Sequence, residues 1–238
     1  MQTAPLIGII AATGTEARAI AESFSRGEEA VIRRVWFCKG LLLGKLPAVL
    51  SASGIGKTNA AHAATLMIER FRPVRIYVIG VAGSYPSSGL ALGEVVAAEQ
   101  EAYGDEGLAL RERFCTMSDL GLPLLVHSQT SLYNVLPMTI PEPFRDLGSG
   151  TFVTVSSCTG TLDRALVIER QFNAVCENME GAAVAHVALM SGVPVTEIRA
   201  ISNVITDRTA VGLDRRHIIA AAEQAQSAFL GRVGKVLQ

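Results

Sequence analysis

Apolar, β-branched runs recur along this chain, and most are followed by segments in which apolar residues return at helical spacing. Leu6–Ala12 reads as a first strand and Thr15–Ser25 as the helix after it. Ala48–Ser53 is a second strand, entering an Ala-rich helix at Asn59–Arg70. Arg75–Ile79 is a continuous β-branched run that predicts a central strand, and Glu94–Ala98 continues the sheet. Phe152–Ser156 and Val195–Ile201 are later strands, with helices near Leu162–Phe172 and Met179–Ser191 and a final helix from about Arg215 to Val236. The stretch Gly104–Pro143, punctuated by Gly, Pro and Asp, predicts loops and short elements. This alternation is the signature of a mostly parallel sheet with helices on both faces, and no repeat or linker divides residues 1–238 into more than one domain.

In such sheets ligands collect at the carboxyl ends of the strands. Attention therefore falls on Thr13–Glu16, Ser53–Lys57, Gly80–Tyr85, Ser156–Gly160 and Ser202–Asp207, most of them rich in Gly, Ser or Thr. Ser53-Gly54-Ile55-Gly56-Lys57-Thr58 has the look of a phosphate-binding loop, but Ser51 stands where that pattern requires its first Gly. It reads instead as a tight turn from strand into helix. Gly80-Val81-Ala82-Gly83 ends the central strand and allows close approach to its backbone. Asn178 reads as an N-cap with Glu180 in the first helical turn, where the helix dipole alone would stabilise an acid. Strand alternation puts Arg199, Ile201 and Asn203 on one face, and an Arg inside an apolar strand needs a carboxylate partner.

Composition narrows the class further. The chain has 238 residues, is 49% hydrophobic and carries a formal charge of −1, so it has no bulk attraction for nucleic acid or anionic lipid. The most apolar stretch, roughly 74 to 98, is broken by Arg75, Gly80, Gly83 and Pro86, and the N-terminus lacks a basic leader segment, so a cytoplasmic protein without a membrane span is expected. Cys38, Cys115, Cys158 and Cys176 form no CxxC pair and read as reduced core residues. His62, His127, His186 and His217 are too far apart for metal-ligand spacing, and neither metal nor cofactor is expected.

Taken together, Gly8-Ile9-Ile10-Ala11-Ala12 with Glu16, Ser53-Gly54-Ile55-Gly56-Lys57, Gly80-Val81-Ala82-Gly83, Met179-Glu180-Gly181-Ala182-Ala183 and Arg199-Ala200-Ile201-Ser202 resemble the nucleoside phosphorylase/nucleosidase superfamily, in family order. The resemblance implies a three-layer α/β/α fold whose central mixed sheet is partly closed into a barrel, and subunits that assemble as homo-oligomers. It also implies a small-molecule purine nucleoside as substrate. Phosphorylases of the bacterial hexameric type carry a Gly-Asp-Pro-x-Arg turn after the first strand and a second Arg where this chain has Val78. Without those guanidiniums phosphate has no charged clamp, and Glu16 would repel it, which favours water as nucleophile.

Nucleosidases acting on methylthioadenosine or S-adenosylhomocysteine end the late strand in Ser-Asp, whereas this chain has Ser202-Asn203. An amide offers both a donor and an acceptor, suited to the O6 and protonated N7 of hypoxanthine. Gly83-Ser84-Tyr85-Pro86, Tyr103-Gly104-Asp105-Glu106-Gly107 and Glu177-Asn178-Met179-Glu180 are similar to the futalosine hydrolase branch, which releases hypoxanthine from futalosine in menaquinone formation. The resemblance gives Glu16 the deprotonation of water, helped by backbone near Ala82 and Gly83, and gives Glu180 the ribose hydroxyls with Met179 packed on the sugar. Asn203 would hold the base and Ser202 orient it, Thr159 and Gly160 would offer backbone contacts to it, and Arg199 would position Glu180. The alternatives are a methylthioadenosine/S-adenosylhomocysteine nucleosidase, a phosphate-dependent phosphorylase and a non-catalytic nucleoside-binding protein.

Overall fold

The computed structural model describes residues 5–127, 130–208 and 214–237. Strand β1 (Ile7–Ala11) is wholly buried, and helix α1 (Gly14–Glu22) follows it at once. Thr13 caps α1 reciprocally: its hydroxyl accepts from the Glu16 N–H, and the Glu16 carboxylate accepts from the Thr13 N–H. The helix stops at Glu22, earlier than the expected Ser25, because the chain re-enters the sheet as β2 (Phe24–Ile32). That strand hairpins with β3 (Val35–Leu42) through Arg33 and Arg34, both at positive φ, and β3 pairs antiparallel with β4 (Leu46–Ala52). The hairpin is absent from the sequence reading. β2 is polar and exposed, an edge strand guarded by charge, so it shows no period-two alternation.

Helix α2 (Lys57–Phe71) leads to the long central β5 (Arg75–Ser84), then β6 (Val95–Tyr103). The stretch expected to hold loops and short elements carries β7 (Gly107–Ala109), β8 (Phe114–Thr116), β9 (Leu125–His127), β10 (Thr130–Leu132) and β11 (Val135–Pro137). Next come β12 (Gly148–Thr154), α3 (Leu162–Phe172), β13 (Ala174–Asn178), α4 (Gly181–Met190), β14 (Val195–Val204) and α5 (Arg215–Val233). Two expectations need correction here. A strand, β13, precedes α4, and Asn178 ends that strand, so it is Glu180 that occupies the cap position.

The main sheet has ten strands of mixed direction. β14 pairs with both β5 and β6, β6 with β12, β12 with β13, and β13 with β5, so five strands close into a ring. β1, β4, β3 and β2 extend from β5 as an open wing. The sheet is thus mixed and partly barrel-like, as the family resemblance implies. Helices α1 and α5 cover one face of it, where Ile9, Ile20, Tyr77, Ile198 and Phe229 pack together. Helices α2 and α4 cover another, over Ile10, Val49, Met67 and Val78. Among the described residues no helix is long and apolar enough to cross a bilayer.

Phe229 anchors α5 to the sheet, with ring centroids 5.2 Å from Tyr77 and 6.3 Å from Phe144. Phe229→Ala is expected to lower unfolding free energy by about 3–5 kcal/mol, read from the shift of the urea midpoint at unchanged slope. A loss below about 1 kcal/mol would mean that this cluster is not the anchor of α5.

Candidate active site

The site begins with a split in the sheet. β1 accompanies β5 only over Arg75–Val78, and β13 joins the same strand only at Gly83 and Ser84. Between them Val81 faces a gap, and a residue's N–H and C=O in a strand point toward the same neighbour. Both groups are taken by side chains. The Val81 N–H donates to Glu16 Oε1 at 3.0 Å, and Arg199 Nη1 donates to the Val81 carbonyl at 3.2 Å. A carboxylate and a guanidinium thus stand where a strand would, satisfying backbone groups that burial would otherwise leave costly. The backbone group bound to Glu16 is thus the N–H of Val81, beside Ala82-Gly83.

Gly80 makes this approach possible. A methyl at its Cα would lie 2.5 Å from both Glu16 Oε1 and Arg199 Nη1. Glu16 itself is buried, with Oε2 accepting from the Thr13 N–H at 2.9 Å and hydroxyl at 2.8 Å. Its fixed geometry is a by-product of the α1 capping box.

Glu180, also buried, is held from two sides. Its Oε1 accepts from the Gly56 N–H at 2.9 Å, and its Oε2 from Arg199 Nη1 at 3.4 Å. The Gly54–Gly56 turn, with both glycines at positive φ, thus presents an N–H to a carboxylate of the protein itself, not to phosphate. Lys57, the would-be phosphate ligand, pairs with Asp105 and Glu106. Burial pushes the Asp105 carboxyl up, but Lys57 and the Ser156 N–H outweigh it and hold the group below its ordinary value. Asn178, though not the cap residue, does cap work: its Oδ1 accepts from the N–H groups of Glu180 and Gly181, both at 2.8 Å. Arg199 is 1% exposed and also donates from Nε to Glu197 Oε1 at 2.7 Å. Burial opposes its charge, yet Glu197, Glu180 and Glu16 together raise its pKa above the ordinary value.

Glu16, Val81, Asn178, Glu180 and Arg199 line one pocket together with Ala82, Gly83, Met179, Ser202 and Asn203. The pairing of β14 with β5 shifts between Ile201 and Asn203, so Ser202 and Asn203 both reach the pocket, which strict alternation would forbid. The Ser202 hydroxyl lies 3.0 Å from Asn203 Oδ1 and 3.2 Å from the Ala82 carbonyl. Donation to the nearer Oδ1 engages the amide's acceptor and leaves Nδ2 for the pocket. Met179 Sδ meets Cys158 Sγ at 3.5 Å.

Thr159 and Gly160 are not among the pocket-lining residues. Thr159 is fully buried and donates its N–H and hydroxyl to Glu177 at 2.7 and 2.6 Å, and the Gly160 carbonyl accepts from the Arg208 N–H. The neighbour that does reach the pocket is Cys158, exposed where a core cysteine was expected. Burial of its sulfur and the Glu177 charge push its thiol pKa up, which argues against a thiolate nucleophile. Sequence reasoning also missed Ile55, Arg208 and Ile218 in the lining. Ile55 carried a signal, an aliphatic side chain in a glycine turn that leaves it 57% exposed at the pocket mouth.

A pocket lined by two fixed carboxylates, a guanidinium and an amide suits a reaction that builds positive charge on one fragment and negative charge on its neighbour. The comparisons place this geometry. A family model described as the phosphorylase superfamily matches residues 6–238. A 5′-methylthioadenosine/S-adenosylhomocysteine nucleosidase of Listeria monocytogenes is 33% identical, over 92% of this chain and 95% of the relative. A futalosine hydrolase of Thermus thermophilus is 37% identical, over 63% of this chain and 67% of the relative. The solved MTA/SAH nucleosidase of Streptococcus pneumoniae, in complex with 8-aminoadenine, superposes with a TM-score of 0.80 at 26% identity, covering 95% of this chain and 98% of that one. The chain belongs to the phosphorylase superfamily. Within it the protein is an enzyme of the nucleosidase kind, an N-glycosyl hydrolase.

Gly80→Ala is expected to leave the fold intact by circular dichroism while lowering kcat by about 10²-fold, because it displaces both Glu16 and Arg199. Activity within a factor of about two of wild type would show that their convergence at Gly80 is not needed for turnover.

Proposed function

We propose that the protein hydrolyses the N-glycosidic bond of a purine nucleoside with water, and that the convergence of Glu16 and Arg199 on Gly80, with Glu180 held by Arg199, carries this reading. Glycosidic cleavage builds positive charge on the ribose and negative charge on the base. Glu16 takes the proton from the attacking water, its carboxylate fixed by Thr13 and Val81. Glu180 binds the ribose hydroxyls and its charge favours the cationic transition state, while Arg199 positions it without touching the substrate. Met179 packs against the sugar. The same proposal includes a cytoplasmic setting and assembly as a homo-oligomer.

The leaving base is read at Asn203. With one lone pair of Oδ1 turned to the Ser202 hydroxyl, the Asn203 N–H is the donor on which this reading of the base rests. A donor complements the O6 of hypoxanthine and opposes the amino group of adenine. This supports a 6-oxopurine nucleoside, and with the Thermus relative it supports futalosine, with menaquinone formation as its setting. The second reading is methylthioadenosine/S-adenosylhomocysteine cleavage. Relatives of that kind match at nearly full length, where the futalosine hydrolase match covers about two thirds, and on that ground they support the second reading more broadly.

Chromatography of the base released from futalosine, inosine and methylthioadenosine separates the two readings. Hypoxanthine release from futalosine supports the first, and adenine release from methylthioadenosine establishes the second. Glu16→Gln and Glu180→Gln are each expected to lower kcat by about 10²–10⁴-fold, and near-normal turnover removes that residue from the mechanism. Asn203→Asp is expected to shift preference from 6-oxo toward 6-amino nucleosides, and unchanged selectivity contradicts base recognition at this position.

A further inference from the structure

Two carboxyl groups outside the pocket lining support its chemistry from beside Arg199. Glu101 on β6 and Glu197 on β14 are both fully buried. Glu197 Oε1 accepts from Arg199 Nε, but its Oε2 has no hydrogen-bond partner in the structure. Glu101 Oε2 accepts from the Thr154 hydroxyl at 2.8 Å, and that hydroxyl oxygen in turn accepts from the Ala182 N–H. Glu101 Oε1 accepts from Asn178 Nδ2. A methyl at Gly181 would lie 2.2 Å from both Glu101 Oε1 and Glu197 Oε2, so these two oxygens are no further apart than twice that distance. Two ionised carboxylates do not persist at such range without water.

We infer that Glu101 is a neutral carboxylic acid donating from Oε1 to Glu197 Oε2, and that it is a positioning residue for Glu180 acting through Glu197 and Arg199. The shared hydrogen satisfies the one orphaned oxygen. It also limits the charge around the single guanidinium, which already faces Glu180 and Glu16. The groups facing the pair are Glu197 and Arg199 on β14, Cys176 and Asn178 on β13, Glu180 ahead of α4, and Thr154 on β12, with Tyr103 nearby on β6 itself. Burial, then the Glu197 charge, raises the Glu101 pKa well above its ordinary value, in agreement with the geometry. Gly181 is required because the pair occupies the space of its side chain.

The hydrogen-bond directions give an asymmetric test. In Glu197→Gln the amide oxygen still accepts from Arg199 Nε, and the amide N–H still reaches Glu101 Oε1. In Glu101→Gln no single atom can both accept from Asn178 and donate to Glu197, as a carboxylic O–H does. The positioning role rests on the proposed nucleosidase reaction, but the shared proton does not, so the two can fail separately.

The wild-type enzyme is expected to show the infrared carbonyl band of a neutral carboxylic acid at neutral pH, lost in Glu101→Gln. Should that variant fail to fold, Glu197→Gln serves the assignment, because its amide supplies the hydrogen and leaves Glu101 ionised. The pair binds more protons folded than unfolded, so wild-type stability falls as pH rises above the ordinary carboxylate range, until the pair ionises in the folded state. Either Gln variant flattens that slope. Glu197→Leu is expected to lower kcat by about 10²-fold with little change in KM, and Glu197→Gln to recover most of it. Absence of the band in the wild type, or its persistence in both Gln variants, overturns the shared proton. Equal kcat losses in Glu197→Gln and Glu197→Leu overturn the positioning route. A wild-type band in a protein that releases no base from any purine nucleoside sinks the proposed reaction and leaves the shared proton standing.

Discussion

The interruption of pairing along β5 is the constraint on which the site depends. A central strand that loses one neighbour before gaining the next leaves backbone donors and acceptors without a strand partner, which is costly unless other groups answer them. Here Val81 is the residue left between β1 and β13, and Glu16 and Arg199 answer its two groups. The fold therefore fixes a carboxylate and a guanidinium at the strand's carboxyl end for reasons of backbone satisfaction. Rigid placement of catalytic groups follows without a separate device. The ring of β5, β13, β12, β6 and β14 makes the gap, and the open wing beginning at β1 brings α1 and its capping Glu16 to it.

Electrostatics explain why so many acids gather around one base. Arg199 alone would be costly to bury, and any one of its partners would be costly without it. Its fork is distributed over Glu197, Glu180, Asn178 and the Val81 carbonyl, so every arm has an acceptor. Glu180 is tied a second time by the Gly56 N–H, which turns the glycine turn after β4 into a support for this buried acid. The small residues of this region have one cause: Gly80 and Gly181 each lie where side-chain oxygens or nitrogens fill the volume of a Cβ.

Much of this was legible in the sequence because it follows from strand ends. Glu16, Ser202 and Asn203 could be placed by asking which polar residues stand at the carboxyl ends of apolar strands, Glu180 as an acid at a helix start and Arg199 as a charge inside an apolar strand, and the structure brings the five to one pocket. The expectation that a buried Arg needs an acid was sound, and Glu197, two residues away on the same strand face, was available to be named. What failed was local. The edge hairpin of β2 and β3 escaped because charge suppresses its alternation, and β13 escaped because five residues are too few to show a period. Thr159 and Gly160 were misplaced by one residue relative to Cys158, since the conformation of an irregular loop is set by Glu177, a partner distant in sequence. The nearness of the Ser202 hydroxyl to Asn203 Oδ1 depends on a β-bulge that no periodicity reveals.

If the acid at Glu16 directs water, and not phosphate, at the sugar, the oxygen gained by the anomeric carbon comes from solvent. Turnover of a purine nucleoside in heavy-oxygen water containing inorganic phosphate tests it directly, with the sugar product analysed by mass spectrometry. The predicted result is one heavy oxygen in the released ribose moiety at its anomeric carbon, at a rate independent of phosphate. An unlabelled sugar phosphate, formed at a rate that rises with phosphate, would contradict it.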